Sequence, residues 1–276
     1  MVSRNGYIVE GEYSLGIPVH QTAPRKFPAV TLFIILINIV VFILMYIEPQ
    51  LLVPGATNAY EVQRQLAMIP IAIVRGERLW TIFTAMFTHA DIYHLLGNMI
   101  FLFFFGGPVE SVMGRKRYLL FYFLGGIMAD IFHILSITII PSQYLITGKI
   151  IINPWVTPTL GASGAISAVM GAYLIYYPRS RITMVYPIWI IPLIFTLPAW
   201  VYILIWFFYQ LVMGLITLLG FASSIAFWAH IGGFISGIAF APFFMEPAIK
   251  EQIRMYKAML REYMVEETPY YEEEFY

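Results

Sequence analysis

The sequence contains no cysteine. That absence excludes disulfides, a thiolate nucleophile and any thiolate-bound metal. Charge is scarce as well: lysine, arginine, aspartate and glutamate make up 12% of the chain and cancel to a formal net charge of zero. A nucleic-acid partner would need a basic face, and the chain has none. HExxH is missing, and of the two aspartates, Asp91 and Asp130, only the second lies well inside an apolar run. Zinc-metalloprotease and aspartyl-dyad chemistry therefore lack their residues, and nothing points to a metal or other cofactor. No internal repeat is visible.

What is present in excess is apolar surface. Sixty per cent of the residues are apolar, gathered into long blocks rather than amphipathic stripes, which marks an integral, multi-pass membrane protein. A hydrocarbon core about 30 Å thick needs roughly 20 residues of helix. Six blocks qualify: Ala29–Ile47, Tyr93–Met113, Tyr118–Ile140, Leu160–Tyr177, Pro198–Leu219 and Ile225–Phe244. The expected fold is all-α, a six-transmembrane-helix bundle over 29–245, with a segment at 1–28 before it and a tail at 246–276 after it. Residues 48–92, too polar to span and too apolar for a wet loop, read as a hairpin in the interface between helices 1 and 2. The apolar stretch 182–198 is broken by Pro187, Pro192 and Pro198, so it should skirt the membrane rather than form a seventh helix. The tail has helical spacing and reads as a surface helix with an acidic end at 272–274.

Lysine and arginine set the orientation. Arg4, Arg25, Lys26, Arg115, Lys116, Arg117, Arg179, Arg181, Lys250, Arg254, Lys257 and Arg261 fall on one side; Arg64, Arg75, Arg78 and Lys149 fall on the other. By the positive-inside rule both termini are cytoplasmic, in what is expected to be the plasma membrane. Spans two, four and six then run inward. Ser163 should lie about 5 Å down its span and His230 about 8 Å down its own. His94 and Asn98, one turn apart, occupy the same layer. Polar groups in lipid are costly and tend to face one another or a cavity, so four of them from three helices suggest one site.

The chemistry open to that set is narrow. A serine hydroxyl needs a base, histidine is the usual one, and a tetrahedral oxyanion needs donors. Asn98, His94 and the amide of Ser163 at a helix N-terminus can all donate. Gly161 and Gly164 flank the serine, and Gly233 and Gly237 lie four apart on the sixth span, so the two helices can pack closely enough for Ser163 to reach His230.

HLLGN (94–98), GASG (161–164) and AHIGGFISG (229–237) resemble, in order and placement, the signature of the rhomboid family of intramembrane serine proteases. The resemblance extends to FTHADIYHLLGNM, GGPVE and PRSRI. It implies Ser163 as nucleophile, His230 as general base and an oxyanion hole of His94, Asn98 and the Ser163 amide. It further implies a gate made of the fifth span and the loop GFASSIA, and single-span membrane proteins as substrates, met in the lipid bilayer. Two positions depart from the family pattern. Ser167 stands where an aromatic usually supports the base, so either its hydroxyl bonds the dyad or the imidazole stacks elsewhere. The tryptophan–arginine pair of the first loop is missing, since Thr81 follows Trp80. His89 reads as orienting the loop, and Glu110 as a partner for the basic loop nearby. The rival readings are a proton or cation transporter using Asp130 and His133, one helical turn apart, and a non-catalytic relative that binds clients.

Overall fold

A computed structural model describes residues 17–23, 26–139, 145–147, 150–188, 191–218, 223 and 225–266. The acidic end at 272–274, Lys149, most of segment 1–28 and part of the GFASSIA loop lie outside the described residues. In chain order, β1 (Ile17–Gln21) leads to α1 (Ala29–Ile47), and three short helices, α2 (Ala59–Leu66), α3 (Pro70–Val74) and α4 (Thr81–Thr84), occupy the first loop. Then come α5 (Ile92–Met113), α6 (Arg115–Ile139), the short paired strands β2 (Leu145–Thr147) and β3 (Ile150–Ile152), and α7 (Ser163–Tyr176). The chain continues through β4 (Arg181–Ile188), β5 (Ile191–Pro198), α8 (Ala199–Leu218), α9 (Phe227–Phe244) and α10 (Pro247–Glu266).

Among the described residues five helices, α1, α5, α6, α8 and α9, are long and apolar enough to cross a membrane. The sixth, α7, is apolar but has only 14 residues, about 21 Å of helix. It starts three residues later than its hydrophobic run suggests. The reason lies upstream: Thr159 pairs with Met68 through two backbone hydrogen bonds of 2.9 and 2.8 Å, and the Gly161 amide donates to Ala85 at 2.9 Å. Held this way, the chain enters the bundle extended and turns at Gly161, whose φ of +118° suits glycine alone.

The short helix is the centre of the molecule. Every residue from Ala165 to Tyr173 is buried, among α5, α6 and α9. On α1, by contrast, Thr31, Ile34, Asn38 and Met45 are buried while Phe33, Leu36, Ile43 and Ile47 face outward. An apolar exterior on a helix is what lipid, not water, stabilises. The α7–α9 contact is made backbone to backbone: a Cβ at Gly233 would collide with the carbonyl of Gly164, and one at Gly237 with the carbonyl of Ala168.

One expectation gains detail and another is corrected. The stretch 182–198 holds no helix among its described residues. It forms an antiparallel hairpin in register from Arg181 opposite Pro198 to Ile188 opposite Ile191, and β1 adds a third strand beside β4. Pro187 and Pro192 sit opposite each other near the turn, and the alternation buries Ile182 and Met184 while Thr183 and Thr196 share a 2.9 Å hydrogen bond. Glu110 does not serve the basic loop. Its buried carboxylate caps α1, accepting from the amides of Val30 and Thr31 at 3.0 and 2.9 Å and from the Thr31 hydroxyl at 2.8 Å. An anion there satisfies orphan amides at the positive end of the helix dipole.

Candidate active site

Ser163 is the first residue of α7, where helix geometry leaves backbone N–H groups without an intrahelical acceptor. His230 lies in the first turn of α9. The close seating of the two helices places His230 Nε2 at 2.8 Å from Ser163 Oγ. On its other side, His230 Nδ1 meets Gln210 Oε1 at 2.9 Å. A carbonyl oxygen only accepts, so Nδ1 carries the proton, Nε2 is bare, and the serine hydroxyl donates to it. The Trp206 ring stacks on the imidazole at 6.3 Å between centroids and 29° between planes.

Gln210 and Trp206, both on α8, are functional candidates that sequence reasoning missed. A signal was available, because Gln210 is the single amide in a 20-residue helix that is apolar around it, and such a group in lipid needs a partner. Ser167, which stands where the family resemblance puts a supporting aromatic, meets the pair only through backbone: its hydroxyl donates to the main-chain carbonyl of Ser163 at 2.7 Å. The imidazole stacks elsewhere, on α8.

The opposite wall comes from α5. The Asp91 side chain caps that helix, accepting from the amides of Tyr93 and His94 at 2.9 Å each, which fixes the first turn. His94 Nδ1 lies 3.4 Å from the Ala90 amide as its acceptor, an arrangement that puts the ring proton on Nε2. A Cβ at Gly161 would sit 2.7 Å from His94 Nε2 and 3.8 Å from Ser163 Oγ. The missing side chain thus leaves room between the imidazole and the hydroxyl. Gly164 gives the same kind of clearance to Ala129, 2.6 Å from its would-be Cβ. Asn98 is buried one turn beyond His94 and donates one amide hydrogen to the His94 carbonyl at 2.9 Å. His89 is buried edge-on to His94, with ring centroids 5.0 Å apart, and burial together with the neighbouring His94 ring holds it well below the usual histidine range. Its backbone carbonyl accepts from Gln63, which ties the first loop to the site.

Asp130 and His133 share α6, and His133 Nε2 lies 3.2 Å from the Thr159 hydroxyl, bracing the extended segment before Ser163. Among the described residues no cluster of three or more His, Asp or Glu is disposed to hold a metal ion.

The sequence has known relatives. Residues 76–247 match the family model of the Rhomboid domain. The chain is 31% identical over 121 residues to RHOMBOID-like protein 12, mitochondrial, of Arabidopsis thaliana, covering 42% of this chain and 34% of the plant protein. It is 30% identical over 147 residues to Rhomboid protease GluP of Bacillus subtilis (strain 168), covering 53% of this chain and 24% of the bacterial protein. It is also 35% identical over 71 residues to Inactive RHOMBOID-like protein 8 of Arabidopsis thaliana, covering 26% and 20% respectively. The chain belongs to the rhomboid family, and it is an integral membrane protein. It spans less than half the length of each of these curated relatives.

Proposed function

We propose that the protein is an intramembrane serine endopeptidase that cuts single-span membrane proteins in or near their transmembrane segments. The observation that carries this reading is the 2.8 Å approach of Ser163 Oγ to His230 Nε2, with Gln210 Oε1 against Nδ1 on the far side of the ring. Family membership alone does not decide activity, since the relatives include one named a protease and one named inactive.

In the proposed cycle the Ser163 hydroxyl gives its proton to His230 Nε2 as Oγ attacks the scissile carbonyl. The resulting oxyanion takes hydrogen bonds from the Ser163 amide, from His94 Nε2–H and from the remaining amide hydrogen of Asn98. His230 then protonates the leaving amine, and water, activated by the same imidazole, releases the acyl group. Gly161 supplies the space for the carbonyl oxygen, while Gly164, Gly233 and Gly237 keep the two helices close enough for the dyad to meet. The reading includes a membrane domain over 29–245 with both termini in the cytoplasm and the plasma membrane as its site, on the strength of the lysine and arginine distribution.

The test is cleavage of a tagged single-span protein in proteoliposomes. Wild type should release two fragments, and Ser163→Ala and His230→Ala should each reduce the rate by about 10³-fold or more. Cleavage by either variant at the wild-type rate would reject the dyad.

A further inference from the structure

The base of a serine–histidine pair is useful only if its ring is held with the correct nitrogen toward the hydroxyl. Two side chains of α8 face the His230 ring. Gln210 is 2% exposed and places Oε1 at 2.9 Å from His230 Nδ1, and Trp206, one turn earlier on the same face, stacks on the ring. One turn later, Gly214 lets α8 close on α9: a Cβ there would already lie 3.3 Å from Ile231 and 3.5 Å from Trp228. At Ser167 the side chain is small and engaged with the Ser163 carbonyl, and α8 supplies both the acceptor and the stacking surface.

We propose that Gln210 is a positioning residue for His230, a neutral third member beside Ser163 and His230 that selects the Nδ1-protonated tautomer and aims Nε2 at the serine. An amide suits this place. It accepts the Nδ1 proton as a carboxylate would, but without burying a charge in the bundle. Because nucleophile and base sit on α7 and α9 while this support sits on α8, the pair is correctly set only when α8 is seated against α9.

The kinetic part of this inference rests on the proposed protease activity; the tautomer does not. With ¹⁵N-histidine labelling in lipid nanodiscs, the five histidines give ring resonances, and the His230 pair is identified by its loss in His230→Ala. Wild type should show His230 protonated at Nδ1 and bare at Nε2. Gln210→Leu should show a tautomer mixture, and Gln210→Glu, which keeps an acceptor at the same reach, should keep the preference. Should the leucine variant not fold, Gln210→Asn, too short to reach, is read by the same spectrum. An unchanged Nδ1-protonated ring in the leucine or asparagine variant, or a wild-type ring protonated at Nε2, overturns the proposal.

In the cleavage assay Gln210→Leu should lower kcat by about 10- to 100-fold with KM nearly unchanged, and Gln210→Glu should lose less. A loss carried by KM instead overturns the positioning role. If the wild type cleaves nothing yet its His230 tautomer responds to Gln210, the protease reading fails and the support by Gln210 stands.

Discussion

A serine at the first position of a helix combines two properties that the site needs. Its side chain projects from the end rather than the flank, and its own amide is one of the donors that a helix leaves unsatisfied. Gly161 completes the arrangement by what it lacks. Its φ of +118° and the space between His94 and Ser163 both exclude a Cβ. Gly161→Ala should therefore cost about 1–3 kcal/mol of backbone strain and, by filling that space, lower kcat at least about 100-fold. Thermal unfolding and cleavage, measured together, check it: a variant that is merely less stable, with wild-type turnover below its Tm, would contradict a role for that space. Ser163, His230, His94 and Asn98 stand out in the sequence as candidates because each is a polar group in an apolar run. Gln210 has the same property and was still missed, because no short motif surrounds it and its partner is 20 residues away on another helix.

Among the elements, spans whose ends coincide with composition changes were legible to within a few residues. For α1 the apolar block and the helix agree at Ala29–Ile47. For α7 they do not, since hydropathy cannot register that Thr159 and Gly161 are drawn into backbone hydrogen bonds with the first loop. The hairpin β4–β5 was hidden for a related reason: its prolines argue against a helix, but its third partner, β1, comes from more than 150 residues upstream. Glu110 shows how elements are joined. Glu110→Ala would leave the amides of Val30 and Thr31 and the Thr31 hydroxyl without their acceptor, and should destabilise the fold by about 3 kcal/mol, with α1 the first element to loosen. Unfolding in detergent, together with hydrogen exchange at Val30 and Thr31, would show it; unchanged exchange at those amides would mean that the cap contributes little.

At the level of the whole molecule, the lack of cysteine becomes an experimental advantage, because any introduced thiol is unique. Glu77, in the first loop, and Lys116, in the first turn of α6, are both exposed and expected to face opposite sides of the membrane. In intact cells Glu77→Cys should react with a membrane-impermeant maleimide, and Lys116→Cys only after permeabilisation; the reverse pattern would invert the topology. The bundle brings residues 163 and 230 together through glycine-lined helices, and the reactivity of that pair is the claim on which the functional account depends. Its most direct measurement uses no substrate at all: a fluorophosphonate probe applied to the protein in lipid, with the modified residue found by mass spectrometry. The account predicts a single adduct on Ser163, formed at least about 100-fold more slowly in His230→Ala. Labelling of Ser163 at the same rate with and without His230, or an adduct on another serine, would contradict it.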